Sequence, residues 1–165
     1  MCPALPPPTS YGSDADGSDA ARVLYFAYGS NLDREQMVQR CASATPRFLA
    51  RLDHYRLDFT YPSRRWNGGA ADVLPCPGSI VWGAVYELAA PELVTLDGFE
   101  LGYERVALEV RDAADAAHGV LTYTVRVKQI TAPHPLYLDK MIRWGAHWGF
   151  PDAYLEQLRR IPPAG

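Results

Sequence analysis

Cysteine is scarce in this 165-residue chain: Cys2, Cys41 and Cys76 form no CxxC pair, and an odd count argues against a disulfide framework. Free thiols are therefore expected. The four histidines, His54, His118, His134 and His147, supply no HxH or HxxxH pair, so no metal centre is expected either. No stretch approaches the ~18 consecutive apolar residues of a membrane span, and the N-terminus has no basic region followed by an apolar one. On those grounds a cytoplasmic protein without a membrane segment is expected. Charge of one sign is also lacking. Sixteen Lys and Arg against 19 Asp and Glu give a formal charge of −3, dispersed without long runs, which argues against nucleic acid as a partner. There is no Gly-rich phosphate loop and no internal repeat of solenoid or propeller period.

What is present suits one globular domain, since 48% apolar and 12% aromatic composition is enough for a substantial core at this length. Residues 1–21 stand apart. Pro6-Pro7-Pro8 and the Gly-, Ser- and Asp-rich stretch from Tyr11 carry too few large apolar groups to offset the entropy of ordering, so this segment is expected to be a flexible tail and 22–162 the folded domain.

The folded part begins with Val23-Leu24-Tyr25-Phe26-Ala27, an apolar run that stops at Gly29 and reads as a buried strand. Ser30 or Asn31 is a candidate cap for a helix from Asp33 to about Arg40. Alternation over Pro46–Tyr61 predicts a strand. Short strands are predicted at Ala70–Leu74 and Ile80–Leu88, with Pro75-Cys76-Pro77-Gly78 as a turn and Gly83 as a bulge or close backbone approach. Pro91 opens a short helix ending near Asp97-Gly98. Strands at Tyr103–Val110 and Val120–Val127 follow, then a helical period from Pro135 broken at Gly145, and a last helix opened by Pro151-Asp152. The total is about six strands with three to four short helices, an α+β (mixed α/β) domain with the strands curled into a small barrel.

Two segments are candidates for chemistry. Tyr28-Gly29-Ser30-Asn31 lies at a strand-to-helix junction, where unpaired backbone amides can hold a carboxylate or an oxyanion, although the same residues also suit an ordinary turn and cap. Leu96-Asp97-Gly98-Phe99-Glu100 places two carboxylates three residues apart among apolar side chains. Either is a candidate acid or base, with Asp97 bound to turn amides and Glu100 paired with Arg105 as the purely structural alternative. Cys76, between two prolines, has no recognisable base beside it and is not assigned as a nucleophile.

Taken together these segments resemble the γ-glutamylcyclotransferase family. Tyr25-Phe26-Ala27-Tyr28-Gly29-Ser30-Asn31-Leu32 is similar to its glycine-containing substrate loop, and the likeness continues through Ala50-Arg51-Leu52, Trp66-Asn67-Gly68-Gly69, Val81-Trp82-Gly83-Ala84-Val85-Tyr86 and Leu96–Glu100 to Tyr137 and Tyr154–Leu158. The resemblance implies a γ-glutamylcyclotransferase-like barrel and a catalytic domain at 22–162. It implies that Tyr25, Phe26, Ala27, Tyr28, Gly29, Ser30 and Asn31 form the substrate loop, that Glu100 moves protons, and that Tyr137 contacts substrate. The implied reaction closes a γ-glutamyl group into 5-oxoproline, with no metal or organic cofactor and a homodimer as a possible assembly. The chain departs from the glutathione-metabolism type in having Leu101-Gly102-Tyr103-Glu104-Arg105 after Glu100 where Glu-Gly is usual. The leaving amine or amino acid is therefore open, as are a γ-glutamylamine or specialised tailoring enzyme and a non-catalytic ligand-binding domain of the same fold.

Overall fold

The computed structural model describes residues 20–165. The tail expected at 1–21 falls almost entirely outside the described residues, as does Cys2. Val23–Ala27 forms the strand anticipated from its apolar run, β1 (Arg22–Ala27), and its last three residues are buried. A 3₁₀ turn at Ser30–Leu32 follows, and then α1 (Arg34–Arg40). The cap of α1 is Asp33, whose Oδ1 accepts from Glu35 N at 2.9 Å and Gln36 N at 3.1 Å. Neither Ser30 nor Asn31 is the cap, because the 3₁₀ turn delays the helix by one step and brings the aspartate to its first free amides.

The next two strands are longer than their local patterns suggest: β2 spans Thr45–Ser63 and β3 spans Gly68–Ala89, and they pair antiparallel over almost their whole length. The two strands expected at 70–74 and 80–88 are one. The Pro-Cys-Pro-Gly signal between them is a bulge, with Asp53 paired to Ile80 and Tyr55 to Pro75, so that residues 76–79 stand opposite His54 alone. His54 and Gly78 take φ of 66° and 83°, and Gly78 N donates to His54 Nδ1 at 3.2 Å. Turn chemistry that would end a strand in isolation here only bends a ladder held on both sides. Gly83 sits in unbroken register opposite Ala50, and the close approach expected for it is real: a Cβ there would lie 2.4 Å from the Phe26 ring.

After α2 (Leu93–Phe99), the hairpin of β4 (Tyr103–Arg111) and β5 (Ala117–Val125) completes a closed five-stranded barrel in the order β1-β3-β2-β4-β5. Helix α3 (Pro135–Trp148) runs through Gly145 without the expected break. Glycine is needed there for packing, since a Cβ would fall 2.5 Å from the Phe150 ring, and the helix stops at Gly149 in the left-handed conformation. His134 caps α3, its Nδ1 accepting from Leu136 N at 3.1 Å. The last helix, α4 (Asp152–Arg159), follows Pro151 as anticipated.

The core runs from the barrel into the layer beneath the helices, with Phe26, Leu32, Met37, Leu52, Tyr86 and Met141 among its fully buried side chains. Two hydrogen bonds tie the 3₁₀ turn to this frame. Tyr86 Oη donates to Asn31 O at 2.9 Å, and Trp148 Nε1 donates to Leu32 O at 2.9 Å. A buried carboxylate secures the other wall. Asp72 on β3 accepts from Thr60 Oγ1 and Lys128 Nζ, both at 2.6 Å, and from the amides of Val73 and Val125 at 2.9 and 3.0 Å. With both oxygens occupied, it joins β2, β3 and the end of β5 at one point.

Candidate active site

A cavity of about 330 Å³ opens where the Tyr28–Asn31 loop, the end of α1, the end of α2 and the β2–β3 turn converge. Tyr25, Tyr28, Gly29, Ser30, Asn31, Glu100 and Tyr137 all line it. Phe26 and Ala27, the other two residues of the expected substrate loop, do not. Both are buried behind it: Phe26 packs over Gly83, and its carbonyl accepts from Thr122 Oγ1 at 2.7 Å. The loop's glycine is dictated by proximity. A Cβ at Gly29 would lie 2.8 Å from Tyr137 Oη and 3.1 Å from Ala71 Cβ.

Asn31, only 4% exposed, organises the polar floor. Its Nδ2 donates to Glu100 Oε1 and to Tyr25 Oη, each at 2.9 Å, while its Oδ1 accepts from Gln36 Nε2 and Arg40 Nη1, each at 2.9 Å. All its amide hydrogen-bonding positions are thereby used, which fixes the side chain's orientation. Gln36 is braced in turn by Ser30 Oγ at 3.1 Å and Lys140 Nζ at 2.6 Å, and Lys140 also pairs with Asp33 at 3.0 Å.

Glu100 follows the last turn of α2 and is paired with Arg40, Nη1 to Oε1 being 3.3 Å. The expected structural partner, Arg105, instead meets Asp97 at 3.0 Å, and Asp97 also accepts from Tyr123 Oη at 2.7 Å. Helical spacing and barrel closure decide this exchange, because Arg105 lies on β4 beside Tyr123 on β5 whereas Glu100 turns toward α1. Burial pushes the Glu100 carboxyl above the ordinary carboxylate range; Arg40, the Asn31 amide and Arg65 oppose that rise without cancelling it. Arg40 is itself buried and lies 4.8 Å over the Phe99 ring.

Tyr137 Oη accepts from Ala71 N at 3.0 Å, and Tyr103 Oη donates to Ala71 O at 2.8 Å. Two phenols thus hang on the residue next to Asp72. Desolvation raises Tyr137 to about 12, with the negative charge of Glu100 adding to the rise and the amides of Ala71 and Ser30 opposing it. Tyr25, Tyr28, Tyr103 and Tyr123 are likewise pushed up by burial, so these five phenols are neutral near pH 7. Tyr28, also in the lining, donates to Tyr123 O.

Arg40 and Gln36 are functional candidates that inspection of the sequence missed. Their signal is there: Gln36, Met37 and Arg40 share the buried face of α1, with polar residues where an amphipathic helix ordinarily places apolar ones. Tyr103 and Tyr123 carried no distinguishing mark, since aromatic residues are common in strands. Cys41, Cys76 and the histidines do not line the cavity. Among the described residues no group of three His, Cys, Asp or Glu is placed to hold a metal ion.

The arrangement provides a largely buried carboxyl able to exchange protons, an amide and a guanidinium that hold it, and a loop whose first amides are not used by the 3₁₀ turn, whose own bonds start at Leu32 N and Asp33 N. The family model described as γ-glutamyl cyclotransferase, AIG2-like, matches residues 25–144. The γ-glutamylcyclotransferase of Homo sapiens is 36% identical over 160 residues, covering 91% of this chain and 84% of its own length; that of Mus musculus is 34% identical over 156 residues, covering 89% and 82%. A solved γ-glutamyl cyclotransferase superposes with a TM-score of 0.83 at 32% identity, over 87% of this chain and 90% of its own. With a family model that spans the loop, Glu100 and most of the barrel, and relatives about a third identical over most of their length, the chain belongs to the γ-glutamyl cyclotransferase, AIG2-like family.

Proposed function

We propose that this protein is a γ-glutamylcyclotransferase that releases 5-oxoproline from a γ-glutamyl amide, with Glu100 moving the protons and the Tyr25–Asn31 loop and Tyr137 holding the substrate. The observation that carries this reading is the meeting of two segments 69 residues apart: Asn31 of the loop donates to Glu100 at 2.9 Å at the floor of the cavity.

In such a substrate the α-amine reaches its own γ-carbonyl to close a five-membered ring, so the protein supplies no nucleophile. The new bond joins the α-nitrogen to the γ-carbon. The bond that breaks joins that carbon to the leaving nitrogen. Glu100 accepts the proton displaced from the attacking amine and returns it to the leaving nitrogen, which balances the reaction without any outside co-reactant. A carboxyl raised by burial is better matched to both halves of that task than an exposed one. The rest is orientation. Holding the folded-over conformer corresponds to effective molarities of about 10⁵ M or more, and loop amides around Gly29 and Ser30 take the substrate's α-carboxylate or the charge on the γ-oxygen. Phe26 and Ala27 act from behind, by setting the position of the loop.

The test is 5-oxoproline release from a panel of γ-glutamyl substrates by the wild type and Glu100→Gln. The variant keeps the shape and the acceptor for Asn31 but loses the base, so turnover about 10²–10⁴-fold lower is expected; near-wild-type turnover would sink the assignment. A homodimer, through the family resemblance, and a cytoplasmic location belong to the same proposal, and light scattering on the purified chain decides the first.

A further inference from the structure

Glu100 and Arg40 neutralise each other at the cavity floor, which leaves the charge of the mouth to other residues. There the β2–β3 turn contributes Arg64 and Arg65, both exposed and both lining the cavity, and neither forms an ion pair among the described residues. Arg65 is close enough for its charge to act on both Glu100 and Arg40. The turn is seated rather than free. Trp66 packs edge-on against Tyr137 with ring centroids 5.0 Å apart, and the Arg65 guanidinium lies 6.0 Å over the Trp66 ring. On the Glu100 side the rim is apolar, formed by Phe99 and Leu101, which are 49% and 70% exposed.

We propose that Arg64 and Arg65 select the leaving group, and that they favour one bearing a carboxylate, an α-amino acid or short peptide, over an uncharged amine. The inference rests on the cyclotransferase reading of the site. The glutamyl half carries the same groups in every substrate of the class, so a net positive rim acts only on what lies outside it. Planar guanidinium groups match carboxylate oxygens in geometry as well as charge, while Phe99 and Leu101 offer the leaving residue's side chain an apolar surface. Leu101, part of the segment that departs from the glutathione-metabolism type, thereby gains a role at the half of the substrate that the loop and Glu100 do not touch.

The experiment compares kcat/KM for γ-glutamyl-alanine, γ-glutamyl-alanyl-glycine and γ-glutamyl-ethylamine, the last being the first without its carboxylate. Wild type, Arg64→Ala, Arg65→Ala and Arg65→Glu are assayed by 5-oxoproline release, and melting temperatures confirm folding of these surface variants. Wild type should prefer the better of the two acids to the amine by about tenfold or more, in line with a charge-assisted bond near the surface. Whichever acid is preferred shows how far from the ring-closing carbon the carboxylate is read. Removing either arginine should shrink the acid-to-amine ratio, Arg65→Glu should bring it to unity or below, and added salt should compress it in wild type. A ratio untouched by all three variants overturns this inference while leaving the cyclotransferase reading intact. A wild type that makes no 5-oxoproline from any of the three overturns both.

Discussion

Gly29→Ala tests how tightly the substrate loop is fitted to the wall behind it. The added methyl carbon would stand 2.8 Å from Tyr137 Oη and 3.1 Å from Ala71 Cβ. To reach ordinary contact the phenol must retreat by roughly 0.6 Å, and that phenol is held by Ala71 N at 3.0 Å. Overpacking of this kind costs about 1–3 kcal/mol, against which Gly→Ala recovers about 0.4–1 kcal/mol through the unfolded chain. The net expectation is destabilisation of about 1–2 kcal/mol in urea unfolding. Because the loop and Tyr137 both line the cavity proposed to hold substrate, kcat/KM for 5-oxoproline release should fall by about 10- to 100-fold, the scale of an ångström-level misplacement. The decisive control is Tyr137→Phe. It deletes Oη and leaves Tyr137 Cζ as that ring's nearest atom, 4.0 Å from the new carbon, so the stability cost of Gly29→Ala should shrink by about 1 kcal/mol or more in that background. An equal cost in both backgrounds, or a Gly29→Ala protein as stable and active as wild type, would refute the steric account.

Burial raises the Glu100 carboxyl, so the acid limb of the kcat/KM profile should lie above 4.5, its ordinary value, and Arg40→Met should move it further up by removing the largest influence that lowers it; a limb that stays put in the variant would separate Arg40 from the chemistry. The same shift has a sign for stability. A raised acid favours the folded state below its unfolded value and loses that contribution as pH rises through its folded one, so the wild type should lose stability relative to Glu100→Gln as pH climbs upward from about 4.5. Asp72→Ala orphans the amides of Val73 and Val125 and releases Thr60 and Lys128, for an expected loss of about 3 kcal/mol by chemical denaturation; a loss under 1 kcal/mol would show that the buried carboxylate is not the tie between these strands.

Much of this protein was legible from neighbouring residues alone. The apolar run of β1, the loop that ends it, the helix opened after Pro151 and the carboxylate at Glu100 are all set by local period, turn chemistry and composition, which act over a few residues. The loop and Glu100 could be recognised as a pair because their order and spacing matched a family. Other features depended on residues brought together from far apart. Whether Pro75–Gly78 would end a strand or bend one was decided by β2, which pairs on both sides of it. Whether Glu100 would meet Arg105, five residues on, or Arg40, sixty residues back, was decided by the side of the cavity to which α1 is folded. The sequence by itself determined which chemical groups the chain carries and the short elements that bear them. Barrel closure alone determined which of those groups share a low-dielectric cavity, because pairing energies there depend on distances that no local pattern encodes.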